Sequence, residues 1–425
     1  MPAVFAACSL KIGRTMKTVI GIGIILLFTN YAIAQRACKA FEYEQQQVLK
    51  DPAVSKTIRA IEEFTQQQVS RHSSSSNSNN RTNQTAVIII PVVIHILYHY
   101  SGENFSKSQI QSQIDVLNRD FRKRNADTVN TPAVFKSLAA DCQVEFQLAT
   151  VDPLGRATTG IIHQYTPVTE WIMEGDKIKL SSEMGSDAWD SKSYLNIWIG
   201  NLKQLLGYAS FPGGPAEKDG IVLNTSTIGS RILVHEAGHW LNLKHTWGET
   251  ECGDDFVDDT PKQRGFTPGC PAGIRISCGN APQGDMYMNY MDFTNDACLN
   301  MFTYGQKERM RSLFLPGGAR YSMLSSNGLG IPLIEEISLS ETGPKWVHVN
   351  IYPNPTTSEL SINFEYDTRW IGKEIFILNV MGQIVKSEAI SSKVQKIDIS
   401  GLKSGIYIIR AQKNGEKIIR KFVKM

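Results

Sequence analysis

The chain has 425 residues, more than one hydrophobic core usually organises, so it reads as two folded units plus processed or connecting segments. Hydrophobic residues at 42% and charged residues at 20% exclude wholesale disorder, a collagen repeat and a coiled coil. A net charge of +3, with the basic residues spread along the chain rather than gathered in one block, excludes nucleic acid as the partner.

At the N-terminus Lys11, Arg14 and Lys17 precede the apolar run Val19 to Phe28, and Ala32-Ile33-Ala34 follows with the small residues of a cleavage site. That is the pattern of a secretory signal peptide over residues 1–34, because the run is well short of the ~20 residues that span a bilayer. Met16 opens a more typical signal than Met1. No other segment could span a membrane, so the expected location is secreted, extracellular or at the cell surface. Export permits disulfides. Cys142 stands alone, while Cys252, Cys270, Cys278 and Cys298 lie close together without any CxxC pair, which reads as two bridges with three connectivities open.

Residues 35–85 are polar, with a helical stretch near Phe41 to Leu49 and a Ser/Asn run from Ser73 to Asn80 that cannot bury a core. This is the composition of a pro-segment and a cleavable linker. Ala86 to Tyr100 (AVIIIPVVIHILYHY) is the first strong strand, and Ser108 to Arg124 follows as an amphipathic helix with Ile110, Ile114, Leu117 and Phe121 on one face. Strands are expected at Val144 to Val151, Leu195 to Ile199 and Gly220 to Leu223, and a helix from Ile228 to Leu243. From there to Asn300 the chain is a Gly-, Pro-, Asp- and Cys-rich loop region. A last helix, Gln306 to Phe314, closes an α+β domain over 86–320, Pro316-Gly317-Gly318 ends it, and a linker fills 321–344. Residues 345–425 change pattern to seven short alternating strands, which predicts a small β-sandwich.

The segment HEAGHWLNLKH holds three of the chain's eight histidines. On a helix, four residues return nearly to the same face, so His235 and His239 can point at one ion while Glu236 stands beside it as a general base for water. His245 reaches that ion only if the chain turns sharply near Asn242, which tolerates a left-handed backbone better than other non-glycine residues. His95, His99, His163 and His348 have no such spacing and read as ordinary polar residues.

With its flanks HTWGETECGDDFVDDTP and DMYMNYMDFTNDACLNMFT, this segment resembles the metzincin signature, and specifically the pappalysin family in its cytophagalysin branch, over about Ile88 to Phe314. The resemblance implies a zinc peptidase with a five-stranded sheet above the active-site helix and Met291 as an apolar floor below the metal. It implies the pairing Cys252 with Cys278 and Cys270 with Cys298. It also implies a calcium loop at Asp254, Asp255, Asp258, Asp259 and Thr260, an edge strand for substrate at Gly207, Tyr208 and Ala209, and a cleft flanked by Phe211 to Pro215. Residues near Asp296 and Ala297 would shape the pocket after the scissile bond. Where the family often has a tyrosine two residues beyond the turn methionine, this chain has Phe293, which lacks a hydroxyl, so catalysis would lean on Glu236 and zinc alone or on another donor such as Tyr290. Residues 345–425 resemble the C-terminal sorting domain of the Bacteroidetes type IX secretion system, which implies the outer-membrane secretion machinery as a partner.

These readings converge on a secreted zinc endopeptidase acting on proteins or peptides, with Cys38 in the pro-segment as a latency ligand for the fourth zinc position. The competing class is a non-catalytic surface adhesion protein with a structural metal. A second enzymatic alternative is a zinc amidase.

Overall fold

The computed structural model describes residues 38–74, 86–332, 349–364, 370–413 and 416–425. The signal sequence, the Ser/Asn run beyond Ser74 and His348 lie outside them.

A mixed sheet organises the larger domain. Its central strand β1 (Ile88–Tyr98) is a nearly continuous apolar run, the pattern of a strand covered on both faces. It pairs in parallel with β4 (Leu195–Gly200) on one side. On its other side β2 (Val144–Leu148) and β3 (Ile161–Tyr165) pair with its first and second halves. The sheet continues through β6 (Ile221–Asn224), parallel to β4, and ends in β5 (Gly207–Ala209), which is antiparallel to β6. Among the described residues six strands therefore fill the five ranks that the family resemblance implies. β3 escapes sequence reading because IIHQY is short and buries little beyond Ile161.

Side-chain alternation sorts this sheet into two faces. Ile90, Val92, Ile94 and Ile96 of β1 join Leu195, Ile197 and Ile199 of β4 in the main core. Helix α3 (Lys107–Phe121) covers that face with Ile110, Ile114, Leu117 and Phe121, and starts at a capping box between Ser106 and Gln109. The opposite face carries Leu97, Trp198 and Val222 with Tyr208, under Trp171 and Ile178. Among the described residues no helix is long and apolar enough to cross a membrane.

Two N-terminal helices, α1 (Ala40–Lys50) and α2 (Pro52–Ser74), precede this sheet. Only the first is anticipated; α2 is hidden by its Gln- and Ser-rich composition. The histidine-bearing helix α4 (Ile232–Trp240) is shorter at both ends than Ile228 to Leu243, because Gly229 takes a φ of 93° and Asn242 a φ of 70°. α5 (Tyr304–Ser312) opens at a Thr303–Gln306 capping box. The domain continues past residue 320, where a linker is expected: Met323 is buried in the main core, and the Gly328 carbonyl accepts from the backbone N–H of Thr150 and Val151.

The C-terminal unit has, among its described residues, seven antiparallel strands in two sheets. β10 (Ile384–Ala389), β9 (Glu374–Leu378), β12 (Gly405–Lys413) and β13 (Glu416–Lys424) form one; β11 (Val394–Asp398), β8 (Glu359–Asn363) and β7 (Asn350–Tyr352) form the other. Leu360, Ile362, Trp370, Ile377, Ile409 and Phe422 pack in its core.

Candidate metal centre

Helix α4 is buried along its whole length, which follows from ILVHEAGHW having almost no polar residue besides its two histidines and one glutamate. It ends in a Schellman motif: Leu243 N–H reaches back to Gly238 O at 2.9 Å and Asn242 N–H to His239 O at 2.9 Å, with Asn242 in the left-handed region. This turn brings His245 back beside the helix.

The three imidazoles converge. His239 Nε2 lies 3.1 Å from Nε2 of His235 and 3.1 Å from Nε2 of His245. Each ring's other nitrogen faces an acceptor: His235 Nδ1 the Tyr290 carbonyl at 2.7 Å, His239 Nδ1 the Leu243 carbonyl at 2.8 Å, and His245 Nδ1 the Glu249 carboxylate at 2.8 Å. Carbonyls and carboxylates only accept, so the Nδ1 atoms carry the protons and the inward Nε2 atoms present lone pairs. Burial, reinforced by His245, pushes the His239 pKa down to about 3, which opposes a proton there. Lone pairs gathered at this spacing repel one another unless a cation lies between them. Zinc fits, since Zn–N bonds of about 2.0–2.1 Å place tetrahedral nitrogens about 3.3 Å apart.

Around this cage the remaining side chains are close-packed. Glu236 is buried, and burial pushes its pKa up to about 8. A Cβ built on Gly207 of β5 would stand 3.3 Å from the Glu236 side chain, so the strand edge passes directly over the carboxylate. Below, Gly238 lacks the Cβ that would collide with Met291 Sδ, and Met291 is buried as the floor. The Phe293 ring lies 4.8 Å from that of His245 and 5.3 Å from that of His235, and Trp247 stacks on His245 at 4.3 Å. Tyr290 is not a hydroxyl donor to this site: its ring packs on Phe302 in the core, and what it contributes is its backbone carbonyl to His235. Trp247 and Glu249 escape sequence reading because they sit in an aperiodic loop.

Cys38 completes the group. Its Sγ and the three imidazole nitrogens lie within 4.8 Å of one another, the one such cluster of metal-ligating side chains among the described residues. Sγ is 3.6 Å from Glu236 Oε2, and the Cys38 backbone forms a parallel bridge with Gly207. Burial, then the nearby Glu236, pushes the thiol pKa up; a cation held by the cage would supply the opposite charge that favours a thiolate.

The acidic run does not form a comparable cluster. Asp255 accepts from Thr260 Oγ1 and Val257 N–H, Asp254 pairs with Lys262, and Asp259 accepts from Gly305 N–H. Asp296 accepts the backbone N–H of Arg231 at the start of α4. The bridges are Cys252–Cys278 and Cys270–Cys298. His95 is a satisfied core residue, bonded to Ser186 and Asn196 and stacked on Trp198.

An imidazole cage set beneath the antiparallel edge of a mixed sheet defines a metallopeptidase. Comparison with known proteins carries this further. The chain belongs to the pappalysin family of metalloendopeptidases: residues 179–314 match the family described as pregnancy-associated plasma protein-A. Residues 350–425 match the secretion system C-terminal sorting domain, which places the protein outside the cell or at its surface. An extracellular metalloprotease of Verticillium alfalfae is 31% identical over 245 residues, 53% of this chain and 76% of that one. The match to an extracellular metalloprotease of Pyricularia oryzae is shorter, 41% over 124 residues, 26% of this chain and 44% of that one. Among solved structures, mature mirolysin of Tannerella forsythia with a cleaved peptide is 44% identical, with a TM-score of 0.56 over 57% of this chain and 97% of that one. A promirolysin mutant from the same organism is 40% identical, with a TM-score of 0.61 over 68% of this chain and 97% of that one.

Proposed function

We propose that this protein is a zinc endopeptidase made as a zymogen, in which His235, His239 and His245 hold the metal, Glu236 moves the proton and Cys38 keeps the site silent. The observation that carries this reading is the convergence of three inward lone pairs beside a buried carboxylate. When bound, zinc supplies a Lewis acid that polarises the scissile carbonyl and acidifies water in its open position. Glu236 takes the proton from the attacking water and returns it to the leaving amine. The outer edge of β5 aligns the substrate as an added antiparallel strand, with Gly207 leaving room for backbone to approach Glu236.

Residues 35–85 act as the pro-segment. Cys38 runs parallel to β5, the opposite of a substrate strand, so its own peptide bond is not offered to Glu236 in the reactive direction. Further anchors support the docking: Glu62 of α2 bonds both Nη atoms of Arg309, and Ile58 and Ile61 pack against Gly213 in the cleft-flanking loop. The pro-form of mirolysin covers more of this chain than the mature form does, which supports the same division. The C-terminal sandwich directs passage through the type IX machinery.

Casein cleavage by the processed enzyme tests the chemistry. A zinc chelator should abolish it, and Glu236→Ala should lower kcat by about 10²–10⁴-fold with the fold intact. Cleavage that persists in either case would falsify the mechanism. Cys38→Ala should raise the activity of the unprocessed chain; unchanged latency removes the thiol from its role.

A further inference from the structure

On the face of the sheet opposite α4, a pro-segment tyrosine fills a polar pocket that the chemistry above does not use. Tyr43 of α1 is buried, and its hydroxyl donates to Asp176 Oδ2. Tyr208 of β5 donates to the other oxygen, Asp176 Oδ1, at 2.7 Å. The Lys179 ammonium sits 3.3 Å from Asp176 Oδ2, donates to Tyr43 Oη at 3.1 Å and to the Lys218 carbonyl at 2.8 Å, and lies 4.6 Å from the centre of the Tyr43 ring. The Tyr43 and Tyr208 rings are 5.0 Å apart.

Every member of this cluster except Tyr43 belongs to the catalytic domain. When the pro-segment leaves, a cavity the size of a phenol opens, with the Asp176 carboxylate and the Lys179 ammonium at its base. A buried pair stripped of one hydrogen-bond partner is costly, so the cavity favours whatever restores that partner. The pocket adjoins the cleft, because Tyr208 follows Gly207 on the strand along which substrate is aligned, and Cys38, which bridges to Gly207, lies five residues before Tyr43 in sequence.

We propose that this cavity is a side-chain subsite of the processed enzyme that selects tyrosine in the substrate, an inference that rests on the peptidase reading above. A phenol alone meets all of its demands. Its hydroxyl donates to Asp176 Oδ2, its oxygen accepts from Lys179, and its ring face receives the ammonium. Phenylalanine leaves the carboxylate oxygen without that donor, and arginine or lysine would bring a second cation against Lys179.

The test is a peptide library in which Tyr, Phe, Arg and Ala are placed in turn at successive positions on both sides of the scissile bond, cleaved by the full chain after processing at its linker. One position should prefer Tyr over Phe by at least about tenfold in kcat/KM. Asp176→Asn should bring the Tyr-to-Phe ratio at that position close to one. Equal cleavage of Tyr and Phe peptides at every position overturns the subsite, as does a Tyr preference that survives Asp176→Asn. The library arm uses the unsubstituted enzyme and so does not depend on the folding of the variant. Total cleavage reports the peptidase reading while the Tyr-to-Phe ratio reports the subsite, so the two fail separately.

Discussion

Each imidazole in the cage hands its outer proton to an acceptor, and the acceptors are not equal. His235 and His239 use backbone carbonyls, whereas His245 uses the carboxylate of Glu249. A charged acceptor makes the ring a more basic ligand and fixes its orientation, and losing such a partner typically costs about 10–100-fold in metal affinity. Glu249→Gln should therefore weaken zinc binding by about that factor, read by competition with a chromogenic chelator, while activity at saturating zinc largely recovers. A variant with unchanged affinity would show that packing under Trp247 alone orients His245. Much of this centre is legible in the sequence, because the ligand spacing and the need for a left-handed Asn242 follow from helix geometry. The acceptors are not: a backbone carbonyl can come from any residue, so nothing in the identity of Tyr290 or Leu243 marks it.

At the scale of elements, the docking of α1 and α2 carries its own pH dependence. Glu44 of α1 faces Lys244, Glu249 and Glu62, and burial pushes its pKa from 4.5 up to about 7, against the pull of Lys244. Glu62 of α2 is held below its usual range; burial alone would raise it, and the bonded Arg309 outweighs that. For Glu44 the docked form keeps its proton when the released form loses it. Its contribution to docking is full below pH 4.5, falls as pH rises from 4.5 to about 7, and is constant above that. A zymogen nicked in its linker should retain the pro-segment on gel filtration better near pH 5 than near pH 8, and Glu44→Gln should retain it similarly at both. A wild-type retention that rises with pH would contradict the argument. α2 itself is readable only in part, since Val54, Ile58 and Ile61 follow a helical period, but the Gln- and Ser-rich remainder masks that stripe.

For the whole molecule, chemistry and export reside in separately built cores, and the second core is small. Its seven strands are legible because half-buried antiparallel strands alternate residue by residue, as in β13, where Ile418 and Phe422 are buried while Lys417, Ile419 and Lys421 are exposed. A sandwich of this size draws only about 3–5 kcal/mol from its core. Trp370 is fully buried there, and replacing a buried Trp by Ala typically costs about 3–5 kcal/mol, as much as the unit has. Trp370→Ala should therefore unfold the sandwich and leave the protein inside the cell, whereas Met381→Ala, at a residue 77% exposed, should not. Comparing the amounts in medium and cell fractions measures this, and peptidase activity assayed in the retained fraction after processing should be normal, because the imidazole cage and the sheet above it draw none of their residues from the sandwich. Normal export of the Trp370 variant would mean that the machinery reads a linear signal in residues 350–425 rather than a folded surface.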